Sequence, residues 1–200
     1  MIPVKKLNTK MIAICGILTA MTIVLAEFIG INLAMIQISF NFIPIVFAAM
    51  YLGPIPCCII AALADFVGAL LFQGSVNPFI TIISALMGLS YGMFLYSGSP
   101  INKALKGTVM KLCGKSKKPE QIAVIVVGAI AVLFDIVAFT LILTPITLHF
   151  YYDLSYAVIY APRVLKAVIM LPLETVVISL IDSQLIPRLK KTSFLKKGLT

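Results

Sequence analysis

The sequence predicts an all-α membrane protein, a bundle of six transmembrane helices. Composition is the first reason: 61% of the 200 residues are hydrophobic and 12% are charged, against about 45–50% and about 25% in a soluble domain. Mean hydropathy is +1.10. Such a chain has too little polar surface for a soluble globule and too much apolar surface for disorder. Twelve Gly and four Cys exclude collagen-like and disulfide-scaffold chains. The second reason is segmentation, since at about 20 residues per crossing the apolar runs divide into six. The third is charge sorting between alternate loops.

The first span is read over about residues 11–30. Its basic start and Val24-x-Ala26 have the outline of a cleavable leader, but the apolar stretch continues through Ile29–Leu33, so it is read as a helix. The second, about 40–52, is short and closed by Gly53-Pro54-Ile55-Pro56, a turn-forming run. The third covers about 57–72 and ends at Gln73-Gly74-Ser75. The fourth covers about 78–96, with Pro78 at the first helical position. A long polar segment, Ser97–Glu120, follows and carries six Lys. The fifth span is about 121–143, stopped by Pro145, and the sixth about 162–185. No repeats or low-complexity tracts are seen, and residues 1–200 are read as one domain.

Six spans put both ends and the Lys-rich segment on one side. Fourteen of the sixteen Lys and Arg then share that face, which is expected to be cytoplasmic. The opposite loops, Ile31–Ser39, Gln73–Asn77 and Pro145–Ala161, contain none. A net charge of +9 is therefore read as membrane topology, with no nucleic-acid partner. Cys15, Cys57, Cys58 and Cys113 lack Cys-x-x-Cys spacing and are read as apolar filler.

The bilayer makes certain residues informative, because ionisable groups within spans are costly and usually face a cavity. Arg163 and Lys166 are three apart on one face of the sixth span. Arg163 follows Pro162 at the predicted helix start, where backbone amides attract anions. The pair reads as a carboxylate clamp, against snorkelling to headgroups. Asp65 and Asp135 are expected to face the bundle, pairing with those cations or accepting ligand N–H groups. Glu174 reads as structural. Amides and rings gather at the outer ends: Gln37, Phe40, Asn41 and Phe42, then Asn77, Phe79 and Thr81, then Tyr160. An interfacial aromatic belt explains many of the rings, but so many amides suit a pocket for a flat heteroaromatic ligand. Gly16-x-x-x-Ala20 on the first span would allow close helix approach. The chain lacks His-Glu-x-x-His, Gly-x-Ser-x-Gly, a P-loop and metal-ligand spacings. It is therefore read as a non-enzyme with no cofactor.

The stretch Phe42–Tyr96 resembles the substrate-binding S component of energy-coupling factor (ECF) vitamin transporters, folate family. The residues that carry it are Phe42-x-Pro44, Gly53-Pro54, Asp65-Phe66-x-Gly68-Ala69-Leu70-Leu71-Phe72, Pro78-Phe79-x-Thr81 and Ser84-Ala85-Leu86-x-Gly88-x-x-Tyr91-Gly92. Arg163 with Met170-x-Pro172 adds to it. Pro56-Cys57-Cys58 and the run Pro78-Phe79-Ile80-Thr81-Ile82-Ile83-Ser84-Ala85 depart from the family's usual runs. The resemblance implies a six-helix bundle that binds a folate-like vitamin from outside. It also implies docking through Gly16 and Ala20 on a transmembrane coupling subunit carried by two ATPases, which hydrolyse the ATP. On that basis Phe40, Phe42, Phe79 and Tyr160 would stack on the rings, and Gln37, Asn41 and Asn77 would bond the heteroatoms. Asp65 or Asp135 would take an exocyclic N–H, Thr81 would border the site, and Arg163 and Lys166 would hold carboxylates. Two alternatives remain: an S component for a queuosine precursor or pantothenate, and a non-transporting membrane scaffold.

Overall fold

The computed structural model describes residues 9–33, 36–74, 76–112, 119–152 and 155–185. The first helix, α1 (Thr9–Glu27), buries only Met11, Leu18 and Thr22, a seven-then-four stripe on one face. Thr19 and Thr22 return their hydroxyls to the Cys15 and Leu18 carbonyls, both at 2.8 Å, so the hydroxyls are satisfied within the helix. Two three-residue strands follow, β1 (Ile31–Leu33) and β2 (Ile36–Ile38), paired antiparallel with Asn32 opposite Gln37. The sequence reading placed a plain loop here; β-branched Ile31, Ile36 and Ile38 favour the ribbon instead.

Helix α2 (Phe42–Tyr51) has ten residues, about 15 Å at the helical rise. Phe42, Val46, Ala48 and Ala49 place it in the core. The chain turns at Gly53, whose φ of +100° suits glycine alone. It then enters α3 (Pro54–Gly68), with Pro54 in the first turn. A π-helical stretch, π1 (Ala69–Gln73), extends α3 before α4 (Pro78–Leu95). Helices α3 and α4 nearly touch backbone to backbone. A Cβ at Gly88 would lie 2.7 Å from the Cys57 carbonyl oxygen, and one at Gly92 would collide with Pro54.

The Lys-rich segment is not wholly a loop. Its first part forms α5 (Pro100–Leu112), with Asn102 and Val109 buried. Ile101, Leu105 and Val109 recur every four residues, an apolar stripe masked by the lysines around it. The Asn102 Nδ2 donates to the Phe94 carbonyl at 2.5 Å and fastens α5 to the end of α4.

Pro145 does not stop the fifth span. Helix α6 (Pro119–Asp135), π2 (Ile136–Leu143) and α7 (Thr144–Tyr152) run on in succession. A proline costs a helix one N–H and crowds a carbonyl behind it. Here the wider π turn precedes it, and the Thr144 hydroxyl bonds the Phe139 carbonyl at 2.7 Å. Likewise α8 (Tyr156–Leu180) begins six residues ahead of Pro162 and contains both Pro162 and Pro172. A last π turn, π3 (Ile181–Leu185), ends the described chain.

Among the described residues, five stretches are long and apolar enough to cross a bilayer: Thr9–Glu27, Pro54–Phe72, Pro78–Leu95, Glu120–Tyr151 and Ile159–Gln184. The sixth apolar helix, α2, is shorter than a full crossing and lies packed among them. Phe28, Leu71 and Val168 point outward at 70%, 66% and 68% exposure, as lipid-facing side chains do.

Candidate functional site

A cavity of about 200 Å³ lies inside the bundle, walled by α1, α2, α3, α4, α6 with π2, and α8. Four of the seven acids of the chain reach it: Glu27, Asp65, Asp135 and Glu174. Lys166 joins them. The arrangement has two tiers along α4. Near the start of α4, the Thr81 and Ser84 hydroxyls donate to the two oxygens of Asp65, at 2.8 and 3.1 Å. Glu27 flanks this tier, its Oε1 being 3.8 Å from where a Cβ would stand on Gly68. Roughly 10 Å further along α4 at 1.5 Å per residue, Ser90 donates to Asp135 at 3.1 Å and Tyr91 to Glu174 at 2.5 Å. Asp135 and Glu174 are both buried.

The bilayer dictates this design. A carboxyl group taken from water needs partners for its lone pairs. Hydroxyls from α4 supply them, on a helix where serine and threonine cost little because they can also bond their own backbone. Each Asp65 oxygen has accepted one hydrogen and keeps capacity for more. On α8, Lys166, Met170 and Glu174 recur every four residues and present one stripe to the cavity. The direct partners of Asp65 and Asp135 are thus hydroxyls, where the sequence reading weighed Arg163 and Lys166.

The candidate residues separate into groups. Asn41, Phe42, Asp65, Asp135 and Lys166 line the cavity. Thr81 stands behind Asp65 and holds it. Asn77 caps α4, its Oδ1 accepting the Phe79 N–H at 3.0 Å. Phe40 packs against Phe42 with ring centroids 6.4 Å apart, outside the lining. Phe79 is 52% exposed, and Tyr160 is exposed beside Tyr156. Arg163 lies one turn before Lys166, half-buried and outside the lining. It sits in the third turn of α8, since the helix opens at Tyr156, so no free helix-terminal amides accompany it. Gln37 is placed only by its backbone, opposite Asn32; its side chain lies outside the described part. Gly16 and Ala20 are exposed on α1, and a Cβ at Gly16 would meet nothing within 4 Å. Among the described residues no group of His, Cys, Asp or Glu is arranged to hold a metal ion.

Sequence reasoning passed over Glu27, Ser84, Ser90, Tyr91 and, as a cavity residue, Glu174. One signal was available. Thr81, Ser84, Gly88 and Tyr91 fall at spacings of three, four and three, one face of a helix.

A family model described as the substrate-specific component of ECF transporters matches residues 10–181. The chain belongs to this family. Among the relatives of this S component is the folate transporter FolT of Clostridium novyi (strain NT), 27% identical over 175 residues and covering 87% of both chains. A solved structure described as FolT bound with folic acid superposes with a TM-score of 0.68 at 30% identity, covering 87% of this chain and 93% of that one. The S component is thus a multi-pass membrane protein and a substrate-binding transport subunit.

Proposed function

We propose that this S component captures a folate-like vitamin at the extracellular face and delivers it through an ATP-driven coupling module. The observation that carries the ligand class is Asp65, braced by two hydroxyls on a cavity wall with lone pairs to spare. A carboxylate so held suits the N–H groups of a pterin-like ring. Phe42 and Asn41, which also line the cavity, offer a ring face and an amide. The cavity, at about 200 Å³, is smaller than the roughly 300–1,000 Å³ of pockets that enclose drug-sized ligands. It seats a fused ring and leaves an anionic tail to run past Lys166 towards Arg163. The two FolT relatives support the same ligand. A non-transporting scaffold has no use for a charged hollow.

Calorimetric titration of the detergent-solubilised protein with folic acid tests the reading, with pantothenate and a queuosine precursor alongside. Saturable binding of folic acid alone is expected; binding of another of these in its place overturns it. Within the same assay the cations should differ. Lys166→Met should cost about 2–3 kcal/mol of binding as a buried charge partner. Arg163→Ala, outside the lining and partly solvated, should cost about 1 kcal/mol or less.

The coupling side of the proposal places both termini and α5 in the cytoplasm, from the sorting of basic residues. The partners are a transmembrane coupling subunit and two ATPases, which supply the free energy that separates the states. The exposed small-residue face of α1, Gly16 and Ala20, is the proposed contact. Filling it with Gly16→Leu and Ala20→Leu should leave folic acid affinity unchanged and cut uptake by reconstituted complexes by about tenfold or more, the effect of losing ~1.4 kcal/mol of docking. Full uptake by that double variant removes this face from the contact.

A further inference from the structure

Three of the cavity carboxyls have partners within the protein: hydroxyls donate to Asp65, Asp135 and Glu174. Glu27 lines the same cavity, and among the described residues no hydroxyl, amide or cation holds it. Its place in the fold makes that costly. Glu27 is the last residue of α1, and no basic residue shares the last turn. Free carbonyls and the negative end of the helix dipole meet there, so an anion is disfavoured. The side chain is half-buried at the end of a span, where water solvates it only in part. The chain thus presents an acceptor to the cavity and supplies it no donor.

Gly68 sets what this acceptor can reach. Glu27 Oε1 lies 3.8 Å from where a Cβ would stand on Gly68, and no other helix comes within 4 Å of that point. Asp65 and Gly68 are three apart on α3, so their Cβ positions are about 5–6 Å apart, which puts Glu27 Oε1 within roughly 10 Å of the Asp65 Cβ. Glu27, Asp65 and Gly68 all line the cavity. One flat ring laid over the bare Gly68 backbone can therefore touch both carboxylates.

A ring N–H beside an exocyclic amino group forms a two-pronged donor that a single carboxylate takes at both oxygens. Asp65 accepts one hydroxyl at each oxygen and has capacity left on each. The amino group carries a second hydrogen, which points away from that fork and needs another acceptor. We propose that Glu27 accepts this second hydrogen, so that Asp65 and Glu27 together select a ring whose amino group adjoins a ring N–H. The inference rests on the folate reading above and deepens it, making Glu27 a specificity-determining residue for the 2-amino group of the pteridine. A ring without that group leaves Glu27 with no donor, and a site built to bond an N–H rejects the analogue lacking it.

The test compares folic acid with its 2-desamino analogue by calorimetric titration of the full-length protein in detergent, with competition against folic acid where the analogue binds weakly. The wild type should prefer folic acid at least tenfold. Glu27→Ala removes the acceptor. It should leave the analogue within twofold, weaken folic acid, and so shrink the preference fivefold or more. Glu27→Gln keeps an oxygen at the same reach without the charge, and its preference should fall between the two. A wild type that binds both compounds alike, or a preference that shrinks less than fivefold in Glu27→Ala, overturns the proposal, and water then solvates Glu27. If Glu27→Ala fails to fold, a preference in Glu27→Gln equal to that of the wild type overturns it, and a reduced one supports it. A wild type that binds neither compound instead refutes the folate reading itself, on which this inference depends.

Discussion

Asp65→Asn should lower the affinity for folic acid by about 2–3 kcal/mol, a loss of roughly 30- to 150-fold. The reasoning runs from the two hydroxyls inward. Thr81 and Ser84 each hold one oxygen of Asp65 and fix the plane of its carboxyl group. The asparagine variant keeps the size and one acceptor but turns the other oxygen into a donor. A ligand N–H aimed at that atom then meets an N–H₂, and both are stranded in a water-poor cavity. Thr81 can fall back on the Asn77 carbonyl, already 3.4 Å away, so the fold should survive the change. Melting temperature without ligand therefore separates a binding defect from a folding one. Affinity within threefold of wild type would exclude Asp65 from the site.

Gly92→Val should be the most damaging change to the fold. The inter-helix approach of α3 and α4 leaves no room at this position, since even a Cβ would run into the Pro54 ring and backbone. Relief would require α4 to move away from α3. That would open the seam at Gly88, against Cys57 and Ala61, and disturb the buried Tyr91 between them. Overpacking of this kind costs about 3 kcal/mol or more. In bilayers such small-residue contacts are a main source of helix association, because lipid supplies no hydrophobic drive. The valine variant should elute as aggregate or misfolded monomer in detergent, whereas Gly107→Val, with nothing within 4 Å of its added Cβ, should behave as wild type. A monodisperse valine variant of normal melting temperature would contradict the close packing.

The spans were legible because a bilayer forces long apolar runs on any helix that crosses it, and because Lys is cheap only on one side. What local rules misplaced were proline positions. Pro145 and Pro162 were read as a stop and a start, yet both lie within helices. A preceding π turn and flanking apolar residues outweigh a single lost N–H. Helix α5 was hidden because its apolar stripe is thin and surrounded by lysine. In the site, Asp65, Asp135 and Lys166 could be picked out because a charge inside a span must find the interior, and the structure places all three on the cavity. Phe79 and Tyr160 could not be separated from ordinary interfacial rings, which use the same residue types at the same depth, and both are exposed. Ser90 and Tyr91 gave no signal alone, since a hydroxyl is unremarkable anywhere in a membrane helix. Only the pairing of α4 with α6 and α8 reveals what they hold.

Helix α1 supplies Thr22, Ala26 and Glu27 to the cavity wall, yet it is the least buried of the five long spans. Two turns earlier, the same helix leaves Gly16 and Ala20 exposed. The least enclosed panel of the chamber is therefore also one with small residues open to the outside. Were a partner to seat on Gly16 and Ala20 as proposed, moving this one rod would reshape the chamber with the same stroke.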